Sequence, residues 1–337
     1  MLKKKNSYVV AIVGATGVVG QEIIEILAER GFPISELVPL ASERSEGERI
    51  GYNNKSIIVR KLTKDAFKSV DIAFFSAGAA SSKEFAAAAV KAGAVVIDTS
   101  SAFRREPLVP LVVPEVNAAA SSKHSGIIAT PDCSAIALAV ALNPIHDAAR
   151  IKRIVVTTFQ SVSGTGKKAI DELAGQTVAL LNFQDIKTSV YPHQIAFNCL
   201  PHVDAFLENG STEEETNIVN ELRKVLGDDS IGVTATTVRV PVFRCHAAAV
   251  NLEMEKKLSA NEVRALLSAA AGILVYDDPK KNLYPTAIDV SGKDEIYVGR
   301  IREDESVPNG INLWLVADNL RKGAALNAVQ IAENLIQ

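Results

Sequence analysis

At 337 residues the chain exceeds what one hydrophobic core usually supports, so two domains are the expected organisation. Hydrophobic residues make up 47% and charged residues 22%, and 36 basic against 39 acidic side chains leave a net charge of −3. That balance gives neither nucleic acid nor an anionic membrane a reason to bind, and no run approaches the roughly 18 apolar residues of a membrane span.

The start, Met1 to Asn6, is basic, but the apolar run after it reads as a strand and not as a cleavable leader. Tyr8 to Val13 is continuous and β-branched, as a strand buried on both faces of a parallel sheet would be. A glycine-rich turn follows, then a helix over Val18 to Arg30 with Val19, Ile23, Ile24, Ile26 and Leu27 on one face and Gly31 closing it. Further strands are predicted at Leu37 to Ala41, Ile57 to Arg60, Ile72 to Phe75 and Ala94 to Ile97, with an alanine-rich helix over Lys83 to Lys91. This alternation predicts a doubly wound α/β domain.

After about Pro144 the texture changes. Ile154 to Phe159, Ile231 to Val240 and Ala247 to Leu252 read as long strands, and Thr212 to Leu226 and Ala260 to Ala271 as amphipathic helices. The second half is therefore expected to be an α+β domain on a mixed sheet. The tail from Lys322 to Ile336 is helical and is expected to pack back onto the first domain. The predicted boundaries are 1–132 with 320–337 for the first domain and 133–319 for the second.

Gly14-Ala15-Thr16-Gly17-Val18-Val19-Gly20 spaces its glycines as GxxGxxG between a strand and a helix. Such a turn brings backbone N–H groups and the positive end of the helix against a pyrophosphate, which points to a dinucleotide. An NAD site usually carries an acid about 20 residues later. That place holds Ser42-Glu43-Arg44-Ser45, where Arg44, Ser42 and Ser45 suit a 2′-phosphate and predict NADP, against the blander reading of a solvated charged loop with Glu43 and Glu46.

Cys133 follows Thr130-Pro131-Asp132 and opens an apolar helix beginning Ser134-Ala135-Ile136. A cysteine at a helix N-terminus feels the positive end of the macrodipole, which favours the thiolate and prepares a nucleophile. The other two, Cys199 and Cys245, are far away in sequence, so the set suits free thiols in a reducing cytoplasm. His124, His146, His193 and His202 show no metal-ligand spacing, and no metal is expected.

Over essentially its whole length the sequence resembles aspartate-semialdehyde dehydrogenases. The segments that carry the resemblance are Gly14 to Gly20, Phe103-Arg104, Val112 to Asn117, Pro131 to Ser134, Phe159 to Gly164, Ile195 to Asn198, Val238 to Val242 with His246, and Asn319 to Ala325. The resemblance implies a Rossmann dinucleotide-binding domain completed by the C-terminal helix, a catalytic and dimerisation domain, and homodimers or tetramers. It implies the reversible NADP-dependent conversion of aspartate semialdehyde and phosphate to aspartyl phosphate, on the route to lysine, threonine and methionine. It assigns Cys133 as nucleophile through a thioester, His246 as acid/base, and Gln160 as the residue orienting the acyl intermediate. Arg239 would clamp the substrate carboxylate, Glu214 hold its amine and Arg104 bind phosphate, while Ser163, Gly164 and Asn319 join the cofactor site. Within the run Glu213-Glu214-Glu215 the register could slip by one.

Two family positions differ, both on the phosphate side. The family has asparagine where Asp132 stands, and lysine three residues after the substrate-binding acid, where this chain has Asn217. A carboxylate beside Cys133 disfavours the thiolate and repels a phosphate dianion, so the phosphate site is expected to be impaired. Thr99 in place of the family's asparagine is a smaller change. The segment Gly166 to Gln176 is similar to the Usg-type branch, some members of which have lost the catalytic residues, so a silent NADP- or protein-binding homologue is the competing expectation. A related acyl-phosphate reductase such as N-acetylglutamyl-phosphate reductase would lack the motifs around Gln160 and Arg239.

Overall fold

The computed structural model describes Leu2 and residues 4–337. The chain forms two compact units, one running to Asp132 and taking in Ala324–Gln337, the other spanning Cys133–Gly323.

The first unit contains β1 (Tyr8–Val13), α1 (Val18–Glu29), β2 (Ile34–Ala41), β3 (Arg49–Tyr52), β4 (Lys55–Ile58), β5 (Arg60–Lys61), β6 (Ile72–Phe75), α2 (Ala79–Lys91), β7 (Val95–Asp98), α3 (Pro114–Asn117) and β8 (Ile127–Ala129). Its main sheet has the order β5-β2-β1-β6-β7-β8, with every pair parallel. This is the doubly wound order, and it reverses between β1 and β6, where such sheets take their ligands outside the carboxyl ends of the strands. Gly14 leaves β1 and Ser76 leaves β6 at that point. Successive β1 residues serve opposite faces. Val10 and Ile12 pack with Ile23 and Leu27 of α1 and with Leu326 and Val329 of the C-terminal helix, Leu326–Ile336. Ala11 and Val13 pack with Phe67, Ala86 and Ala89. Burial on both faces is why this strand is continuously apolar in sequence.

The strand expected at Ile57 to Arg60 is two separate pieces. β4 pairs with β3 in a hairpin outside the main sheet, and only Arg60–Lys61 lies beside β2. The hairpin turn is Asn53-Asn54, both at positive φ (47° and 61°), the backbone that a two-residue turn between twisted strands requires and that asparagine tolerates.

The second unit contains α4 (Cys133–Ala149), β9 (Ile151–Gln160), α5 (Lys167–Leu181), α6 (Glu213–Leu226), β10 (Gly232–Arg239), β11 (His246–Met254), α7 (Ala260–Ala269), β12 (Ile273–Val275), α8 (Ala287–Val290), β13 (Ile296–Asp304) and β14 (Gly310–Ala317). Its mixed sheet has the order β10-β9-β11-β14-β13-β12, parallel in the two outer pairs and antiparallel within. Along β9, Ile154, Val156, Thr158 and Gln160 are buried, whereas Val155, Thr157 and Phe159 are half-exposed. The buried face is covered by helices, α4 lying on β9, β11 and β14, and α6 on β10. One doubly wound parallel-sheet unit and one mixed-sheet unit make up the fold class expected from the sequence.

Candidate active site

Gln160 ends β9, Arg239 ends the parallel β10, and His246 begins β11, which runs antiparallel to β9. Strand direction alone therefore brings the three to one end of the second sheet, with Arg239 directly opposite Gln160 in register. The period of two then sets all three on the helix-covered face, where Gln160 is 2% and Arg239 and His246 each 5% exposed. Helix α4 starts at this end. Gln160 Nε2 donates to Ser134 Oγ at 3.1 Å, so the first turn of α4, with Cys133 at its start, lies against the strand end.

The amide of Gln160 is oriented by Glu214, whose Oε1 accepts from Nε2 at 2.6 Å. This decides the register of the acidic run. Thr212 caps α6, accepting from the Glu215 amide at 3.2 Å while Glu215 Oε2 accepts from the Thr212 amide at 2.8 Å. Glu215 is thus spent on the capping box and on the Thr237 amide, Glu213 is exposed, and Glu214 is the buried one facing Gln160. Asn217 follows Glu214 by three positions on α6 and is half-buried.

His246 Nδ1 accepts from the Ser161 amide at 3.1 Å and lies 3.1 Å from Ser161 Oγ. A backbone N–H can only donate, so Nδ1 carries a lone pair and the proton of the neutral ring sits on Nε2. Behind it, Ser161 Oγ, Ser163 Oγ and the Asn319 amide form a buried cluster, with Asn319 Nδ2 donating to Ser163 Oγ at 2.9 Å and Asn319 Oδ1 accepting from the Cys245 amide at 2.9 Å. Arg239 Nη1 donates to the Ser161 carbonyl at 2.7 Å, while its Nε is a buried donor with no partner. Gly164 packs between these groups: a Cβ there would lie 3.1 Å from both Arg239 Nη1 and His246 Nε2. Ser163, Gly164 and Asn319, which the sequence placed with the cofactor, thus sit against His246 and Arg239 in the second unit.

Of the three free cysteines, Cys245 is buried and its thiol is pushed up to about 12, by burial first and by Asp318 second, so it stays protonated. Cys199 is exposed in a loop, and Cys133 is half-buried at the start of α4. Gly323, in the π-helical turn Arg321–Ala325, backs Cys133 so closely that a Cβ there would meet Cys133 Cβ at 2.8 Å.

In the first unit the Gly14 turn fits a dinucleotide phosphate. A Cβ on Gly14 would lie 3.0 Å from the Ser76–Ala77 backbone, and one on Gly20 only 2.2 Å from the Gly14 carbonyl, so helix and strand close up as a phosphate-binding turn requires. Ala15 to Val19 complete the turn into α1, and Thr16 Oγ1 reaches Ser45 Oγ at 3.4 Å. Ser42 and Arg44 are exposed beside it, and Glu43 turns away to Lys61 at 3.0 Å.

Arg104 is buried in the same unit. Its Nε donates to the Thr130 carbonyl and its Nη2 to the Thr99 carbonyl, both at 3.0 Å. Asp132 lies 3.8 Å from its Nη1, an ion pair too long for a hydrogen bond. A second carboxyl, Asp98, is near enough to feel Arg104. Burial pushes Asp98 up, against hydrogen bonds from Ser82 and Ser100. Among the described residues no group of His, Cys, Asp or Glu could hold a metal ion, and no helix is long and apolar enough to cross a membrane.

Two family models match: the semialdehyde dehydrogenase NAD binding domain over residues 9–124 and the semialdehyde dehydrogenase dimerisation domain over residues 142–322. An aspartate-semialdehyde dehydrogenase of Aquifex aeolicus is 52% identical over 98% of both chains. The chain belongs to the aspartate-semialdehyde dehydrogenase family. The enzyme of that name from Legionella pneumophila is 54% identical over 97% of this chain and 95% of its own. The crystal structure of aspartate semialdehyde dehydrogenase II from Vibrio cholerae superposes with a TM-score of 0.96 at 50% identity, covering 98% of each chain. The chain is accordingly an oxidoreductase of the aspartate-semialdehyde dehydrogenase type. Its site adds residues that sequence reasoning did not single out, namely Ser134, Ser161 and Gly323. All three stand inside the quoted family segments, but each acts by a contact that sequence order does not reveal.

Proposed function

We propose that this chain converts aspartate semialdehyde and phosphate reversibly to aspartyl phosphate with NADP, through a thioester on Cys133. The observation that carries the reading is the buried, unpartnered Nε of Arg239, placed at the same sheet end as Gln160 and His246 and the start of α4. A carboxylate is the partner that a guanidinium edge fits best. The Vibrio cholerae relative has also been crystallised as a complex with aspartate semialdehyde, at 50% identity to this chain.

Cys133 adds to the aldehyde carbon as thiolate, and the carbonyl oxygen becomes an alkoxide. His246, with its Nε2 turned to that oxygen, is the acid/base residue of this reading, hydrogen-bonding to the oxygen as hydride leaves. Gln160, its amide fixed by Glu214, orients the acyl group, and Glu214 is the carboxylate that takes the substrate amine. NADP would be held at Gly14 to Val19, with Arg44, Ser42 and Ser45 reading its 2′-phosphate, and would supply the hydride acceptor; Ser163, Gly164 and Asn319 are the further positions that the resemblance assigns to it. Arg104 is the phosphate residue in this reading. Its ion pair with Asp132 favours slow use of phosphate, and hydrolysis of the thioester by water then competes.

The half-exposed face of the second sheet, carrying Val155, Phe159, Ala249 and Trp314 beside a hollow of about 770 Å³, supports a homodimer through the unit that matches the dimerisation model. Free cysteines support a cytoplasmic setting. The test is reduction of NADP in the presence of aspartate semialdehyde and phosphate, run beside Cys133→Ser. The expected result is turnover by the parent alone, with NADPH binding equal in both. An active Cys133→Ser variant, or an inactive parent, would overturn the reading.

A further inference from the structure

The segment Gly166 to Gln176 has no place in the chemistry above, yet two of its side chains are buried and busy. Glu172 and Gln176 are four residues apart and so share one face of α5. Apart from a contact between the two, Gln176 Nε2 to Glu172 Oε1 at 3.4 Å, their hydrogen-bond partners come from the irregular stretch after that helix. Glu172 Oε2 accepts from the Ser189 amide at 2.8 Å, the Ser189 hydroxyl at 2.6 Å and the Val190 amide at 2.6 Å, and Oε1 from the Tyr191 amide at 3.4 Å. Gln176 Oε1 accepts from the Ile195 and Ala196 amides at 3.0 and 3.1 Å, and its Nε2 donates to the Lys187 carbonyl at 2.9 Å. A stretch with no strand or helix of its own thus has its backbone groups satisfied by two side chains acting as a template.

Tyr191 stands at the middle of the templated stretch. Its ring lies 6.0 Å from the guanidinium carbon of Arg239, and its hydroxyl donates to Thr165 Oγ1 at 3.0 Å, next to Gly164. Arg239 is consequently held on two sides, by the Ser161 carbonyl at Nη1 and by the tyrosine ring. A long side chain locked in this way loses little freedom when a carboxylate arrives, which is where a planar donor gains most over a mobile one.

We infer that Tyr191, carried on the Glu172–Gln176 template, is the positioning residue that presets Arg239 for the substrate carboxylate. The inference rests on the assignment of Arg239 to that carboxylate. It extends the substrate-recognition machinery to α5 and the 187–196 stretch, and it makes Glu172 and Gln176 determinants of affinity for the amino-acid end of the substrate.

Steady-state kinetics of the full chain test this, with Tyr191→Ala, Tyr191→Phe, Glu172→Ala and the Tyr191→Ala/Glu172→Ala double variant. Tyr191→Ala should raise KM for aspartate semialdehyde about tenfold, the share of a desolvated cation–ring contact. It should leave kcat and the Kd for NADPH close to the parent's. Tyr191→Phe keeps the ring and should restore KM to within about threefold. Glu172→Ala should raise KM similarly and speed hydrogen exchange of the 189–191 amides, and the double variant should be no worse than the worse single. A parental KM in Tyr191→Ala, a Tyr191→Phe variant as impaired as Tyr191→Ala, or additive effects in the double variant would overturn the inference. An inactive parent would instead overturn the functional reading beneath it, so the two failures are distinct.

Discussion

Replacing Asp132 by asparagine removes one negative charge at the residue preceding Cys133 and leaves the shape nearly unchanged. Asp132 stands 3.8 Å from Arg104 Nη1, with side chains only 17% and 10% exposed. Two unit charges at that separation attract by about 4 kcal/mol at an effective dielectric of 20. Desolvation takes back a large part of this, and crediting about half leaves ~2 kcal/mol that phosphate must overcome to claim the guanidinium, a factor of about 30 in affinity. Arg104 keeps its place without Asp132, since Nε and Nη2 remain bonded to the Thr130 and Thr99 carbonyls. Initial rates with varied phosphate at saturating aspartate semialdehyde and NADP should therefore show KM for phosphate falling roughly 30-fold in Asp132→Asn. KM for the aldehyde should stay within about twofold of the parent's, because Arg239 and Glu214 are untouched. An unchanged or higher KM for phosphate would refute the reasoning and place phosphate on residues other than Arg104.

The remaining predictions concern other parts of the molecule. Gly323→Ala should cut kcat by about two orders of magnitude with a modest fall in Tm, because its Cβ would sit 2.8 Å from Cys133 Cβ and must displace it; parental kcat would show that Cys133 tolerates the shift. Arg44→Ala should lower the ratio of NADPH to NADH efficiency at least tenfold while leaving NADH use intact, and an unchanged ratio would place the 2′-phosphate elsewhere. Burial alone would raise the Glu172 carboxyl, but the hydrogen bonds from Ser189, Val190 and Tyr191 outweigh it and hold the group below its ordinary value of 4.5. Its contribution to stability is therefore complete above that value and is lost as pH falls through the lowered one. Glu172→Gln should be less stable than the parent at neutral pH and should converge with it in acid; a pH-independent gap in denaturant midpoints would refute the charge as the cause.

The first sheet was legible because its strands are buried on both faces and announce themselves as apolar runs, as Tyr8 to Val13 and Ile72 to Phe75 do. The hairpin of β3 and β4 was not, since its residues are largely exposed and its signal is only the Asn53-Asn54 turn. Helix α5 was missed for a related reason: its buried face carries Glu172 and Gln176, so a polar pair stands where a hydrophobic stripe would reveal a helix.

By itself, the sequence determined the apolar strands of the first sheet, the glycine turn and the chemical identity of the residues that could react. Strand and helix periodicity are local, so the strand running up to Gln160 and the amphipathic helix around Glu214 were readable without a fold. Only the tertiary structure decided which of three adjacent glutamates faces Gln160, because that depends on the capping box consuming Glu215 and on the face of α6 turned to the sheet. It alone set the proton of His246 on Nε2, through an amide 85 residues away in the chain. It alone paired Asp132 with Arg104 and brought Tyr191 over Arg239. Hydrogen bonds and ion pairs of this kind act over about 3 to 4 Å between residues far apart in sequence, and no pattern along the chain encodes that distance.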